Sequence, residues 1–334
     1  MNEFPFVSFI IVTRNEEKYI IDCIKSVVSQ TYPKDKYELI IVDGMSTDKT
    51  RKLLEEEKNK ISLLYPLFSV SIYDNEKLIL SSGWNIGIKN AKGDYVVRID
   101  AHAKAREDFL KKSVETMLSH DAVCVGGKLI TMSLDGDNKV VSKVLSSPFG
   151  VGNSSFRVSC KAGYVDTVVY GLYDKKIFNE VGLFDEGFVR NQDMELHSRI
   201  KKCGCRFYFN PEIVSEYYSR NTIKKMLRQG FLNGKWNMAL LKKNSKGPSL
   251  RHLVPFAFVL FILLSIAFGF LFRPIWFICV GVLVLHLLLG LIFAVKKTRR
   301  IVEIIQMPFL FLSLHLLYGL GFFAGIFIKI DKGD

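Results

Sequence analysis

The first hundred residues alternate largely apolar runs with amphipathic stretches and polar loops. The apolar runs occupy residues 7–12, 37–42 and 94–99. A strand that is buried on both faces of a parallel sheet is apolar along its whole length, and these runs are of that type. Helical patterns lie between the runs, at about residues 17–30, 50–60 and 81–90. This alternation predicts an α/β fold with a Rossmann-like, mostly parallel sheet that is flanked by helices.

The last third of the chain has a different pattern, with long apolar segments at about residues 253–272, 275–295 and 304–328. Each segment is close to the roughly 20 residues that a membrane-spanning helix needs. Gln306 and Pro308 interrupt the third segment, so it either spans the membrane or is re-entrant or interfacial. The stretch 221–243 mixes basic and apolar residues, which indicates an interfacial helix on the bilayer or an ordinary surface helix packed on the domain. We therefore expect a sheet domain at 1–218, a basic amphipathic segment at 219–250 and a membrane domain at 251–330.

The positive charge is concentrated beside these apolar segments. Residues 1–218 contain 30 basic and 30 acidic side chains, whereas residues 219–334 contain 16 basic and 3 acidic ones, so the net charge of +13 lies in the last third. Anionic lipid headgroups are the first candidate partner of such a region. Nucleic acid is not expected, because apolar stretches interrupt the basic tract. The basic loop 296–300 predicts a multi-pass protein of the cell (inner) membrane with a cytoplasmic sheet domain.

Polar and acidic residues follow each of the three predicted strands. Thr13, Asn15 and Glu16 follow the first strand, Asp43 follows the second, and Asp100 and His102 follow the third. In parallel sheets, ligands bind beyond the carboxyl ends of the strands. A carboxylate at the second strand can accept hydrogen bonds from a base or a ribose, and an Asp with a His can hold a divalent ion against a diphosphate. Singly, such residues are more often helix caps, turn formers or packed histidines, so only the joint pattern favours a nucleotide-sugar site.

Three longer stretches carry a family resemblance: residues 9–16, 41–48 and 85–102. In their order and approximate spacing, they resemble the catalytic domain of glycosyltransferase family 2, which has the GT-A fold, over about residues 7–215. The resemblance implies a glycosyltransferase that uses a nucleotide-sugar donor. The residues that it assigns to donor binding are Thr13, Asn15, Glu16, Asp43, Ser46, Asp48, Asn85, Lys89 and Asp100.

The resemblance also implies a metal pair and a catalytic base. Asp100 and His102 take the place of the family's Asp-x-Asp metal motif, and the histidine favours Mn²⁺ without excluding Mg²⁺. Gln192 and Asp193 fall where the family carries an acidic pair whose Asp is the catalytic base. Asp193 is therefore the expected base of an inverting transfer, and the alternative is a carboxylate that caps a helix.

The whole set of motifs is similar to the succinoglycan-biosynthesis type of family 2 enzyme. It implies a single addition of sugar to a lipid-linked saccharide at the membrane, as in bacterial exopolysaccharide synthesis. One alternative is transfer to polyprenyl phosphate, and another is processive polysaccharide synthesis. An alternative of another class is a non-catalytic membrane scaffold that binds nucleotide sugars.

Overall fold

The computed structural model describes residues 4–132, 139–152, 160–218, 222–243 and 250–328. The chain divides into two compact units. The first comprises Met1–Met132 with Ser155–Tyr218, and the second comprises Ser133–Ser154 with Ser219–Asp334. The expected sheet domain at 1–218 is thus interrupted by a segment that belongs to the second unit.

A single sheet forms the centre of the first unit, and the described residues contribute nine strands to it. The strands are β1 (Val7–Thr13), β2 (Tyr37–Asp43), β3 (Val70–Asp74), β4 (Tyr95–Asp100), β5 (Ala103–Ala105), β6 (Cys124–Met132), β7 (Gly163–Val165), β8 (Leu172–Asp174) and β9 (Phe207–Tyr218). Their order is β3-β2-β1-β4-β8-β6-β9-β5, and β7 pairs with β9. The β3-β2-β1-β4 half is parallel, whereas β8 is antiparallel to both of its neighbours. The predicted α/β fold is confirmed, with a mixed sheet in its second half.

Helices of the first unit connect these strands. They are α1 (Ile20–Val28), α2 (Thr50–Leu64), α3 (Leu80–Asn90), α4 (Phe109–Ser119), α7 (Ile177–Val181) and α8 (Gln192–Lys202). The sheet has an apolar cluster on each face, since alternate residues of a strand point to opposite sides. Phe9 and Ile11 of β1 belong to one cluster, and Ile10 and Val12 belong to the other. Burial on both faces is the reason why β1 is apolar without alternation.

The segment 139–151 forms two short helices, α5 (Lys139–Leu145) and α6 (Pro148–Val151), within the second unit. Over residues 123–166, the alternation of short apolar runs with Gly, Ser and Asp predicts irregular strands and loops, and that prediction is wrong for residues 139–151. Val140, Val141 and Val144 favour strands by intrinsic propensity. Here they are buried in an apolar cluster with Met307 and Phe311. Tertiary packing therefore overrides the local preference.

Four long helices complete the second unit: α9 (Ile223–Lys243), α10 (Leu250–Gly269), α11 (Pro274–Lys297) and α12 (Ile301–Gly325). The spans His252–Gly269, Pro274–Lys297 and Ile301–Gly325 are long and apolar enough to cross a membrane. Pro308 lies inside α12 without ending it. The expected segment 219–250 is helical over Ile223–Lys243, and its residues 219–221 and 244–249 lie outside the described residues.

Helix α9 packs along α12 through glycines on both helices. A Cβ atom added to Gly234 would overlap the carbonyl oxygen of Tyr318, and one added to Gly321 would overlap that of Phe231. Small residues four positions apart, as in Gly230 with Gly234 and in Gly321 with Gly325, allow helix backbones to approach closely in this way. One face of α9 is therefore buried against an apolar helix, and a bilayer-surface role for the rest of α9 stays a prediction.

Histidines form a polar contact inside the second unit. His286 Nε2 on α11 lies 2.9 Å from His315 Nδ1 on α12. The ring of Phe149 from α6 packs against both histidines, with centroid distances of 5.0 and 5.4 Å. Hydrogen bonds between helices in an apolar environment contribute modestly to their association. This pair adds a specific contact to a helix bundle that otherwise packs through apolar and small residues.

The glycine contact leads to a stability prediction. We expect Gly234→Ala to destabilise the protein by about 1–3 kcal/mol, because the added methyl group must displace the α12 backbone. Gly281→Ala on α11 is the matched control, since a Cβ atom there meets nothing within 4 Å. The midpoint of thermal unfolding in detergent measures both effects. Equal midpoints for the two variants would contradict the close packing of α9 on α12.

Candidate functional site

A cavity of about 230 Å³ opens at the carboxyl ends of β1 and β4. Its lining includes four of the residues singled out from the sequence: Thr13, Glu16, Asp100 and His102. Parallel pairing brings them together, because Val12 of β1 is in register with Asp100 of β4. The remaining lining residues are Val12, Arg14, Gly44, Asn75, Leu78, Ile79, Leu80 and Ala101.

Two residues that line this cavity each carry a polar atom that is buried without a partner among the described residues. These atoms are Thr13 Oγ1 and Asn75 Oδ1. The side chain of Asn75 is held in place because its Nδ2 donates to the Ile79 carbonyl at 2.8 Å. An unsatisfied buried polar atom costs about 1–3 kcal/mol, so a ligand that hydrogen-bonds to both atoms recovers that cost. This is the strongest sign in the described structure that the cavity binds a polar ligand.

Sequence analysis missed Asn75. It directly follows β3, whose side chains are mostly half-buried and do not form a continuous apolar run. The available signal was the pair Asp74-Asn75 after a short alternating stretch, which is a weak strand pattern. Pairing of β3 with β2 brings Asn75 beside the cavity, where its backbone N–H donates to the Asp43 carbonyl at 2.8 Å.

Asp100 and His102 both face the cavity, as the metal assignment requires. Asp100 Oδ2 accepts a hydrogen bond from the Tyr170 hydroxyl at 3.0 Å, and His102 Nδ1 lies 3.4 Å from Glu16 Oε1. Burial and the Asp100 carboxylate raise the pKa of Tyr170, so its hydroxyl stays protonated and donates. Asp100 and His102 thus line the cavity while each also contacts a neighbouring side chain.

These two side chains fit a metal that takes most of its ligands from elsewhere. In the described part of the chain, no group of three or more His, Cys, Asp or Glu side chains is arranged to hold an ion. Hard divalent cations such as Mg²⁺ commonly use one or two carboxylates and complete their shell with water and substrate phosphates. The donor set at Asp100 and His102 therefore fits a metal that is shared with a diphosphate.

Asp43 lies beside the cavity but does not line it. It is in register with Thr13 across the β1–β2 pair and is almost completely buried. Its Oδ1 accepts a hydrogen bond from the Ser46 hydroxyl at 2.6 Å, and Arg51 lies 3.7 Å from Oδ2. A ligand that reaches Asp43 must therefore approach a carboxylate that is already partly engaged.

Three further residues that are predicted to bind the nucleotide-sugar donor form hydrogen bonds within and between the two loops that border the cavity. Ser46 Oγ accepts from the Asn15 N–H at 2.9 Å, and Asn15 Oδ1 accepts from the Thr47 N–H at 2.8 Å. Asn15 adopts a left-handed backbone with φ of 55°, which Asn tolerates better than most residues. Asp48 accepts from the Thr50 N–H at 2.9 Å at the start of α2. Their direct contact with a donor stays a prediction.

Asn85 and Lys89 on α3 do not line the cavity. The Asn85 amide forms two hydrogen bonds of 2.9 Å with the backbone of Phe184, and it also donates to Glu186 at 3.0 Å. Both ends of this buried amide are thus used to hold the 184–186 turn. Lys89 is exposed near the end of α3. Binding of the nucleotide-sugar donor by these two residues stays a prediction.

Asp193, the expected base, lies in the first turn of α8 and outside the cavity lining. Both of its carboxylate oxygens contact Arg98 of β4, at 2.7 Å for Nη1 to Oδ1 and 2.5 Å for Nη2 to Oδ2. Burial opposes ionisation of Asp193, but the Arg98 guanidinium outweighs it and lowers the pKa of the carboxyl. Asp193 is therefore ionised. It is connected to the cavity through Arg98, which lies on the same strand as the cavity residue Asp100.

His197, one turn further along α8, is buried in a hydrogen-bond network. Its Nδ1 lies 2.7 Å from the Thr167 hydroxyl, and its Nε2 lies 2.7 Å from the Tyr173 hydroxyl. Burial lowers the pKa of His197 to about 3, so the ring is neutral at physiological pH. Because both ring nitrogens are engaged, His197 anchors α8 to the sheet.

Comparisons with known proteins agree with this geometry. Residues 8–182 match the family described as Glycosyl transferase family 2. The chain is 36% identical over 327 residues to the dolichyl N-acetyl-alpha-D-glucosaminyl phosphate 3-beta-D-2,3-diacetamido-2,3-dideoxy-beta-D-glucuronosyltransferase of Methanococcus voltae, which covers 96% of this chain and 97% of that protein. It is 29% identical to the succinoglycan biosynthesis protein ExoA of Rhizobium meliloti (strain 1021), over 69% of this chain and 67% of that protein.

A solved structure shares the fold over most of the chain. The mannosyltransferase PcManGT of Pyrobaculum calidifontis, in complex with GDP-Man and Mn²⁺, superposes with a TM-score of 0.59 at 17% sequence identity. The match covers 95% of this chain and 88% of that one. With the family match over more than half of the chain, these findings establish that the protein belongs to glycosyltransferase family 2.

Proposed function

We propose that this glycosyltransferase moves one sugar from a nucleotide-sugar donor to a saccharide carried on a membrane lipid. The observation that carries the proposal is the match along nearly the whole chain to a relative whose name specifies a dolichyl-phosphate-linked sugar as its acceptor. That match includes the apolar helices as well as the sheet unit, so it supports a lipid-bound acceptor. The second relative acts in succinoglycan biosynthesis, which supports a role in building a surface polysaccharide.

The cavity at the sheet edge is the proposed donor site. Thr13 Oγ1 and Asn75 Oδ1 supply a hydrogen-bond donor and an acceptor that are buried and have no partner in the described part of the chain, which suits the heteroatoms of a nucleobase or ribose. Asp100 and His102 line the same cavity and would hold the metal together with the donor diphosphate. When bound, a divalent metal supplies Lewis-acid stabilisation of the departing nucleoside diphosphate. Imidazole as a ligand favours Mn²⁺ over Mg²⁺.

Asp193 is the proposed base of an inverting transfer. Inversion needs a carboxylate that takes the proton of the acceptor hydroxyl, which attacks from the face opposite the diphosphate. Asp193 is ionised and its side chain is 35% exposed, so it is accessible to an acceptor. No covalent nucleophile is required for this reaction.

The three apolar helices support attachment to a membrane. The basic residues of the loop 296–300 favour the cytoplasmic side, where nucleotide sugars are available, so we place the sheet unit at the inner face of the cell membrane. This location gives the enzyme access to a lipid-linked acceptor.

The activity can be tested with the full chain in detergent or nanodiscs. UDP-, GDP- and dTDP-sugars are supplied with Mn²⁺ or Mg²⁺, and one of two kinds of acceptor is added: a saccharide carried on polyprenyl phosphate or diphosphate, or polyprenyl phosphate alone. We expect release of nucleoside diphosphate together with a glycosylated product when the saccharide-bearing lipid is present. Product from polyprenyl phosphate alone would replace the proposed acceptor, and absence of any product would refute the transferase function.

We expect Asp100→Ala to weaken metal-dependent donor binding by about 100-fold, because the carboxylate is the anionic protein ligand of the proposed metal. Calorimetric titration of a nucleoside diphosphate with and without Mn²⁺ measures this loss. Asp94→Ala is the control, since Asp94 is an exposed acid that immediately precedes the same strand. A variant that binds donor and metal as tightly as the parent would remove Asp100 from the metal site.

We expect Asp193→Asn to reduce kcat by about 10²- to 10⁴-fold, the usual contribution of a general base, while donor affinity stays within about twofold. Asparagine keeps the shape of the side chain and cannot take up the proton. Asp121→Asn serves as the control, because Asp121 is an exposed acid that also pairs with an arginine, Arg206. Parent-like kcat in the Asn variant would eliminate Asp193 as the base.

A further inference from the structure

Arg98 is unusual among the charged residues of this chain because it is buried in the middle of a central strand. Its side chain is 7% exposed, and its guanidinium carbon lies 5.4 Å from the Trp84 ring centroid and 5.6 Å from that of Phe184. A buried guanidinium is tolerated only when it is paired and well hydrogen-bonded. Its Nε has no partner among the described residues, so the terminal nitrogens and Asp193 provide the compensation.

The position of Arg98 connects the two parts of the proposed active site. It precedes Asp100 by two residues on β4, so the two side chains leave the strand on the same side. Two of the Arg98 nitrogens each contact a different oxygen of the Asp193 carboxylate, at 2.7 and 2.5 Å. A bidentate contact fixes the orientation of a carboxylate as well as its distance. The strand that carries the metal ligand thereby sets where the carboxylate of Asp193 lies.

The Asp193 carboxylate keeps room for a second partner. Arg98 uses one lone pair on each oxygen, and an ionised carboxylate has about four acceptor positions. The Asp193 side chain remains 35% exposed while Arg98 is enclosed. The Asp193 carboxylate is therefore fixed by Arg98 on its buried side and is accessible to an acceptor on its exposed side.

We propose that Arg98 is a positioning residue for the transfer step, and this inference rests on the function proposed above. Arg98 orients the Asp193 carboxylate toward the acceptor hydroxyl and fixes it relative to Asp100. In that step the acceptor oxygen bonds to the anomeric carbon, and its proton moves to a lone pair of an Asp193 oxygen that Arg98 does not use. The bond from the anomeric carbon to the diphosphate breaks, and the nucleoside diphosphate leaves with the electron pair.

Arg98 also provides the positive charge that lowers the pKa of Asp193. The groups that face Asp193 are Arg98 from β4, Tyr173 from β8, Cys124 from β6 and His197 from its own helix. Burial keeps the last three neutral, because it raises the pKa of Tyr173 and Cys124 and lowers that of His197 to about 3. Of these groups, Arg98 is therefore the one that carries a charge.

The test compares Arg98→Lys and Arg98→Met with the parent in the transfer assay. Lysine keeps the charge but cannot make the bidentate contact, whereas methionine keeps the bulk without charge. We expect kcat to fall by about 100-fold in Arg98→Lys, because small displacements of a catalytic group have effects of that size, while the donor KM changes less than threefold. In Arg98→Met, the acid limb of the pH–kcat profile should move to higher pH, since Asp193 no longer has a cation that keeps it ionised.

A double-mutant cycle separates positioning from a purely structural role. If Arg98 acts through Asp193, Arg98→Lys causes no further loss of kcat in the Asp193→Asn background. Arg206→Lys is the matched control, because Arg206 forms an exposed pair with Asp121 in the same unit and should leave kcat unchanged. Thermal unfolding of each variant, followed in parallel, identifies any that lose kcat through unfolding.

The outcomes distinguish the two proposals. Additive losses in the cycle, a proportional loss of donor affinity, or parent-like kcat in Arg98→Lys would overturn the positioning role while leaving the transferase function intact. Parent-like kcat in Asp193→Asn would overturn the base assignment and the positioning role together. Absence of transfer by the parent with every donor would overturn the proposed function and this inference with it.

Discussion

The in-register parallel pairing of β1 with β2 and β4 is the constraint on which the proposed active site depends. Thr13 is aligned with Asp43 on one side, and Val12 is aligned with Asp100 on the other. Parallel strands end at the same edge, so three separated loops deliver their polar side chains to one place. A slip of one residue in either pair would turn these side chains to the opposite face of the sheet. Such a slip would also disrupt packing on both sides of the sheet, because these largely apolar strands contribute to a core on each face.

The sheet unit accommodates several polar groups in its interior, and each has an identifiable role. His197 is neutral and bridges two hydroxyls, and Asn85 holds a turn through both ends of its amide. These groups are satisfied and specify the local geometry, as fully bonded polar networks do. Thr13 Oγ1 and Asn75 Oδ1 are the contrasting cases, since they are buried beside a cavity without a partner. Both belong to residues that line the cavity, so their hydrogen-bonding capacity, unused within the described part of the chain, lies next to the space that a ligand would fill.

The helices of the second unit associate through other interactions than those that hold the sheet unit together. Within an apolar environment, burial of more apolar surface gives helices little reason to associate, so close backbone approach and polar contacts matter more. Glycines on α9 and α12 allow the close backbone approach, and the His286–His315 pair provides a polar contact. Lys143 of α5 pairs with Glu303 at the start of α12, which ties the segment 133–154 into this unit. Polar and apolar residues alternate in this segment, so its sequence pattern does not indicate a unit. Its contacts with α12 assign it to the second unit.

The sequence by itself determined the elements whose signals are local. Largely apolar runs marked β1, β2 and β4, which are buried on both faces of the sheet, and the long apolar segments marked the helices α10 to α12 by their length and hydropathy. The residues that follow the strands marked Thr13, Glu16, Asp100 and His102, which the fold gathers around one cavity. The tertiary structure alone decided the pairing of Arg98 with Asp193, the place of Asn75 and the membership of residues 133–154. These depend on contacts between residues far apart in the chain, and no pattern within a short window records which distant side chain will become a neighbour.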